Sequence, residues 1–138
     1  MFQKRTYDIA ALTNKKVKVY FGNGSTEEEI KLSFQDYVDM YCDALPQAKN
    51  ALYSKINDNW EVAVAYLEED LNEQVNHISY VNGICTSNCG THVKYIVDQV
   101  INHVKDKLTD KKVSATLNTI RARFIVFVNS TIVNPSFD

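Results

Sequence analysis

Glycine is scarce in this sequence, with four residues in 138, and proline scarcer, with two. Enzymes that cradle phosphates in glycine runs need more, and no P-loop is present. The GxSxG, HExxH and DxDxDG patterns are missing as well. No apolar stretch approaches the roughly 20 residues of a membrane span. The opening residues carry Lys4 and Arg5 and no long apolar core, unlike a secretory signal. An excess of positive charge is also lacking: 15 Lys and Arg stand against 17 Asp and Glu, a net charge of −2. That excludes a basic surface all round but not a local basic patch. Cysteine is limited to Cys42, Cys85 and Cys89, which cannot all pair within one chain. The reading is free thiols in a reducing compartment.

What is present is a core-forming composition, 45% hydrophobic and 23% charged, over a length that suits one domain. There is no internal repeat and no low-complexity segment. The 13 asparagines, with many Lys and Ile, fit an AT-rich coding sequence.

Residues 2–12 read as a short helical segment broken at Thr13-Asn14, the tail of a helix belonging to something upstream. Val17, Val19 and Phe21 alternate with polar neighbours, Gly22-Asn23-Gly24-Ser25 marks a turn, and Ile30 and Leu32 alternate again, so residues 16–33 predict a hairpin. Ser33 and Asp36 form a capping-box pattern before a helix whose apolar face is Phe34, Tyr37, Val38, Tyr41, Cys42 and Leu45, ended by Pro46. Trp60, Val62, Val64 and Tyr66 alternate as a strand, with Ala63 and Ala65 small enough to lie under helices. A charged turn, Glu68-Glu69-Asp70, leads to a further strand over Val75–Ile84. Thr91 is placed to cap the longest helix, whose Val93, Ile96, Val97, Val100, Ile101, Val104 and Leu108 follow helical spacing. One or two helical turns follow within residues 116–123. Phe124–Val128 is a continuous run of β-formers, expected to be covered on both faces or central in the sheet, and stopped by Pro135. The order is that of an α+β fold: a mostly antiparallel or mixed sheet with helices on one side.

Cys85-x3-Cys89-x2-His92 resembles a metal-ligand cluster, but it offers three ligands at an unusual spacing, and the plain alternative is a loop with incidental thiols. His77, on a strand, and His103, on the long helix, lack an acid–base partner in the pattern and read as surface or packing residues. The Glu27–Glu29 and Glu68–Glu69 runs read as solvated turns. The loop from Gly83 to His92 feeds a helix N-terminus, where free N–H groups bind anions, although an ordinary strand-to-helix connection has the same look. Lys105, Lys107, Lys111 and Lys112 cluster at the end of the long helix. The helix dipole alone favours cations there, and Asp106 and Asp110 dilute the cluster.

The wording of the sequence carries more. The stretch from His77 to Ile84, followed by Cys85-Thr86-Ser87-Asn88-Cys89-Gly90-Thr91-His92-Val93, resembles the SFVN-x-I-x-T-x-x-GG-T/R-H-V segment of type IIA DNA topoisomerases. Tyr95 and Asp98-Gln99 continue its eukaryotic-type form. Asn134–Asp138 resembles the NPxFDSQTK segment, and Lys4–Ala10 the RRAYDIAG segment that leaves the ATPase domain. Asp36–Tyr41 and Trp60–Val62 match in order. The resemblance covers essentially the whole chain and is specific to the transducer domain. Its divergent, Asn-rich text suggests a large DNA virus as source.

The resemblance implies a ribosomal protein S5 domain 2-like fold, an α+β sheet of about four strands backed by helices on one face. Residues 1–14 would be the helical tail of an upstream GHKL ATPase domain, and residues 15–138 the transducer, cut before the QTK loop. It implies a module coupling ATP binding and hydrolysis, and closure of the N-gate, to DNA strand passage. The parent would be an enzyme using ATP and Mg; the 138 residues alone would be inactive, with no catalytic residue, no cofactor and no metal of their own. None of the tyrosines Tyr7, Tyr20, Tyr37, Tyr41, Tyr53, Tyr66, Tyr80 or Tyr95 would be the DNA-cleaving nucleophile. Partners would be the GHKL domain and cleavage core of the same chain, DNA, and the second subunit of a homodimer, with no membrane. Lys111 and Lys112 fall in the family's lysine run facing DNA, Lys105 and Lys107 less closely. Asn88-Cys89 replaces the family's frequent Lys-Gly, which removes a positive charge from that loop. The location would be intracellular: host cytoplasm for a cytoplasmic virus, nucleus for a cellular enzyme. The alternatives are a stand-alone viral interaction or scaffold protein, and a metal-dependent enzyme using Cys85, Cys89 and His92.

Overall fold

The computed structural model describes residues 2–13, 15–22, 24–68, 77–88 and 90–134. Eleven elements follow in order among them: α1 (Phe2–Leu12), β1 (Val19–Gly22), β2 (Glu27–Ile30), α2 (Phe34–Ala44), β3 (Ala48–Asn57), β4 (Trp60–Leu67), β5 (His77–Val81), β6 (Ile84–Cys85), α3 (Thr91–Asp110), α4 (Leu117–Arg121) and β7 (Phe124–Ser130). The first two strands form the expected hairpin as a separate antiparallel pair. The other five form one mixed sheet in the order β3-β4-β7-β5-β6. Among the described residues only the β5–β7 pair is parallel, His77 beside Val126 through Val81 beside Ser130.

The central position of β7 follows from its composition. A strand with neighbours on both edges and layers on both faces has no place for polar side chains, and Ile125 to Val128 are all buried. Ile125 and Phe127 point to one face with Ala63, Ala65 and Leu67 of β4, and there they meet Phe34 and Val38 of α2. The small side chains at Ala63 and Ala65 leave room for that helix. Val126 and Val128 point to the other face and meet Val93, Val97 and Ile101 of α3 and Ile120 of α4. A fully buried residue of this size contributes about 1.5–3 kcal/mol.

The α+β class and the mixed sheet backed by helices stand as expected. Three details differ. Helices cover both faces rather than one, because the apolar stripes of α2 and α3 pack on opposite sides of β7. The sheet has five strands because Ala48–Asn57 adds an edge strand antiparallel to β4, which the sequence pattern did not announce. The strand expected over Val75–Ile84 is broken: Asn82 (φ 49°) and Gly83 (φ 77°) turn the chain back so that β6 pairs with β5. A positive φ at both central residues is the geometry of a two-residue hairpin turn. Residues 75–76, Glu69-Asp70 and Pro135 lie outside the described residues.

Helix ends follow local chemistry. Ser33 Oγ accepts from the Asp36 amide (3.1 Å), and the Asp36 carboxylate accepts from the Ser33 amide (2.9 Å) and hydroxyl (2.7 Å), completing the capping box. Those two donations hold the Asp36 carboxyl below its usual pKa. Thr91 does not cap α3; Gly90 occupies the cap position without a side-chain bond, and Thr91 is the first helical residue.

Candidate functional site

Because β5 and β7 are parallel neighbours, both leave the sheet at the same end. Asn82, directly after β5, joins the two exits. Its side-chain amide donates to the Ile132 carbonyl (2.9 Å), and its side-chain oxygen accepts from the Ile132 amide (2.8 Å). Its own amide donates to the Ser130 carbonyl (2.9 Å). This two-way grip fixes the backbone that runs on to Asn134. The motif His77–Ile84 and Asn134, the one described residue of the second motif, thus come to the same end of the sheet. Residues 135–138 of the second motif lie outside the described residues.

The connection from β6 to α3 is pinned to β5. Thr86 donates its amide to the Ser79 carbonyl (2.8 Å), and its hydroxyl lies 2.6 Å from that of Ser79. Cys85 is a free, exposed thiol; Cys42 is free too, its pKa raised by burial and by Asp39 and Asp43. Cys89 lies outside the described residues. His92 sets its ring edge-on to Trp60 (6.2 Å) and against Gly90, where a Cβ would come within 2.7 Å of the ring. Burial lowers the His92 pKa, so the imidazole is neutral at pH 7. Among the described residues no three His, Cys, Asp or Glu gather as metal ligands. His77 is part-buried on β5 and His103 exposed on α3.

The four lysines lie at the other end. α3 starts beside the exit of β5 and runs for 20 residues, roughly 30 Å at 1.5 Å per residue. Lys105 and Lys107 stand in its last turns, Lys111 is its C-cap, and Lys112 follows in a left-handed conformation (φ 58°). All four are exposed, as is every residue from Thr109 to Ser114. α4 is tied to α3 by Arg121, which donates to Asp98 at 2.7 Å, so the tip is braced from below. The four do not all point one way along a helix, since Lys111 and Lys112 lie past its end.

One polar cluster escaped the sequence reasoning. Asp8 of α1 is buried, and accepts from Tyr37 Oη of α2 (2.9 Å) and from Lys4 Nζ (3.1 Å). Tyr37 Oη lies 2.8 Å from Tyr80 Oη of β5. The signal for it was slight: an acid between Tyr7 and Ile9 on a helix that also carries Ala10 and Ala11. Elsewhere, a recess of about 880 Å³ opens between α1, the β1–β2 hairpin and the ends of β4 and β7. Lys15, Lys18, Lys31 and Lys55 line it together with Glu29, Asp36, Asp58 and Glu61, so its charge is balanced. The arrangement places an exposed lysine tip and a clamped exit at two ends of one sheet-and-helix body.

A mixed sheet in this strand order, with helices packed on both of its faces, defines an α+β domain. The profile of the family described as DNA gyrase B matches residues 33–138, and the chain belongs to that family. It is 37% identical over 140 residues to the DNA topoisomerase 2 of Acanthamoeba polyphaga mimivirus, covering all of this chain and 11% of that protein. Its fold is similar to the ATPase region of Saccharomyces cerevisiae topoisomerase II, with a TM-score of 0.80 at 33% identity, over 98% of this chain and 32% of that one. It is similar also to the ATPase and transducer domains of DNA topoisomerase II from Balamuthia mandrillaris, with a TM-score of 0.74 at 32% identity, over 99% of this chain and 32% of that one. The chain therefore spans about a tenth of the length of the mimivirus relative.

Proposed function

We propose that this chain is the transducer module of an ATP-dependent type II DNA topoisomerase, coupling nucleotide-driven closure of the N-gate to DNA strand passage. The observation that carries this reading is the polarity of the molecule. The clamped exits of β5 and β7 lie at one end, the exposed lysine tip lies at the other, and α3 with β7 forms a stiff body between them. A body buried on both faces of its central strand moves as a unit, as a lever must. In this reading residues 1–14 belong to the tail of the GHKL domain and residues 15–138 to the transducer. The cleavage core of the same chain and a second subunit complete the machine. The parent works inside the cell, in the host cytoplasm if viral and in the nucleus if cellular.

ATP with Mg supplies the driving energy in the parent. A magnesium ion is held largely by water, the nucleotide's phosphates and one or two carboxylates, and in this reading both ion and nucleotide belong to the neighbouring ATPase domain. DNA contact falls to Lys111 and Lys112, with Lys105 and Lys107 on the flank. Each phosphate neutralised releases counterions and adds about 0.9 to the log–log salt slope of binding. The test is the double substitution Lys111→Ala with Lys112→Ala in the parent enzyme. DNA-stimulated ATPase falls more than basal ATPase, and the salt slope drops by about 1.8. Unchanged stimulation and slope refute the assignment. Calorimetry on the 138-residue chain gives no saturable ATP binding; a saturable isotherm refutes the domain division.

A further inference from the structure

We propose that the hydrogen-bond chain Tyr80–Tyr37–Asp8, closed by Lys4, is a positioning latch: it seats α1 on β5 and thereby sets the grip of Asn82 on the segment leaving β7. The proposal rests on the coupling reading above and names the side chains that pass the movement.

The direction of each bond follows from its partners. The Asp8 carboxylate can only accept, so Tyr37 donates to it, and the Tyr37 oxygen is left to accept from Tyr80. Burial and the contacts with Tyr80, Tyr41 and Asp8, in that order, push the Tyr37 pKa upward, so the donor stays protonated. Lys4 closes the chain at the surface end of Asp8 (3.1 Å).

α1 buries few large apolar groups: Asp8, Ala10 and Ala11 are its buried residues, and Leu12 packs part-buried against the clusters around Phe34 and Tyr80. Directional bonds add to that packing in fixing its position, and such bonds weaken steeply once donor and acceptor move out of line. A shifted α1 would strand a buried hydroxyl and a buried carboxylate, so the helix is either seated or released, with little between. Tyr80 is held from a second side, because Ser130 Oγ donates to its carbonyl (3.3 Å). Its ring stands edge-on to that of Tyr37, with centroids 6.2 Å apart. Asn82 comes two residues later, roughly 7 Å further along the chain at strand rise. The three elements are thus joined side chain to side chain, from the helix that enters the module to the backbone that leaves it.

Amide hydrogen exchange by NMR on the 138-residue chain tests this. Tyr37→Phe keeps the ring and removes the hydroxyl. The amides of Asn82 and Ile132 then exchange at least about tenfold faster, while those of Ala63 and Ala65 in β4 keep their rates. Tyr80→Phe gives the same pattern. A change confined to α1 and α2, or a uniform rise that includes β4, overturns the latch. The readout uses neither nucleotide nor DNA. Failure here removes the latch and leaves the coupling reading untouched, whereas failure of the lysine experiment leaves the exchange pattern intact and removes only the DNA-contact assignment.

Discussion

Val97→Asp tests the placement of α3, on which the lever reading leans. Val97 lies in the apolar stripe between Val93 and Ile101, over Val126 and Val128. Removing the valine forfeits about 2 kcal/mol of burial. The new carboxylate has no cationic partner in that cluster, so it stays neutral by binding a proton. At pH 7, protonating a group of ordinary pKa near 3.9 costs about 4 kcal/mol, at 1.36 kcal/mol per unit. Together that is about 6 kcal/mol, against the roughly 5–15 kcal/mol that holds a domain folded. The variant is expected to lack a cooperative thermal transition at pH 7, or to melt far below the parent. At pH 4 the protonation cost nearly vanishes, so the loss shrinks to about the burial term. The sign follows from the raised pKa: stability is lost as pH climbs above the ordinary carboxylate range. Tyr95→Asp is the control, since Tyr95 lies two residues away on the exposed side of the helix, 67% accessible. It changes stability by less than about 0.5 kcal/mol. Equal melting temperatures for the two variants, followed by circular dichroism, refute the facing of α3.

Gly90→Ala places a methyl group 2.7 Å from His92 Cε1 and 2.9 Å from Nδ1. It should cost about 1–3 kcal/mol in thermal melts, and adding His92→Ala should recover part of that loss; additive losses would show that the two do not touch. Ser33→Ala removes the α2 cap and should cost about 1 kcal/mol. The Asp36 pKa is depressed by the Ser33 bonds, so this stabilisation is present above the usual carboxylate pKa of 3.8 and fades as pH falls through the lower folded value. A penalty that grows on acidification contradicts the assigned bonds.

Much of the fold was legible because burial leaves a period in the sequence. The stripe of α3 and the run Phe124–Val128 gave their own positions, and that run already implied cover on both faces. The second helical layer was still missed, because the stripe of α2 does not reveal which face it meets. β3 was hidden for a different reason. It is an edge strand with register shifts after Lys49 and after Lys55, a left-handed Asn50, and exposed Leu52 and Ile56, so no alternation survives. Thr91 has the chemistry of a cap, yet the chain turns one residue earlier, at Gly90. The site was legible only where motif text carried it: the meeting of His77–Ile84 with the Asn134 segment depends on a parallel pairing across some 50 residues, and the Asp8 latch on three separate elements.

The bare stretch from Thr109 to Ser114 has a wider meaning. Every residue in it is exposed. Thr109 and Asp110 end α3 and Lys111 caps it, so the loop proper begins at Lys112; lengthening such a loop twofold costs only about 0.6 kcal/mol in chain entropy. Reach toward a polyanion can therefore be tuned by adding or trimming residues here, with no repacking beneath. Grafting extra arginines into this stretch would be a low-risk way to build a tighter-gripping variant.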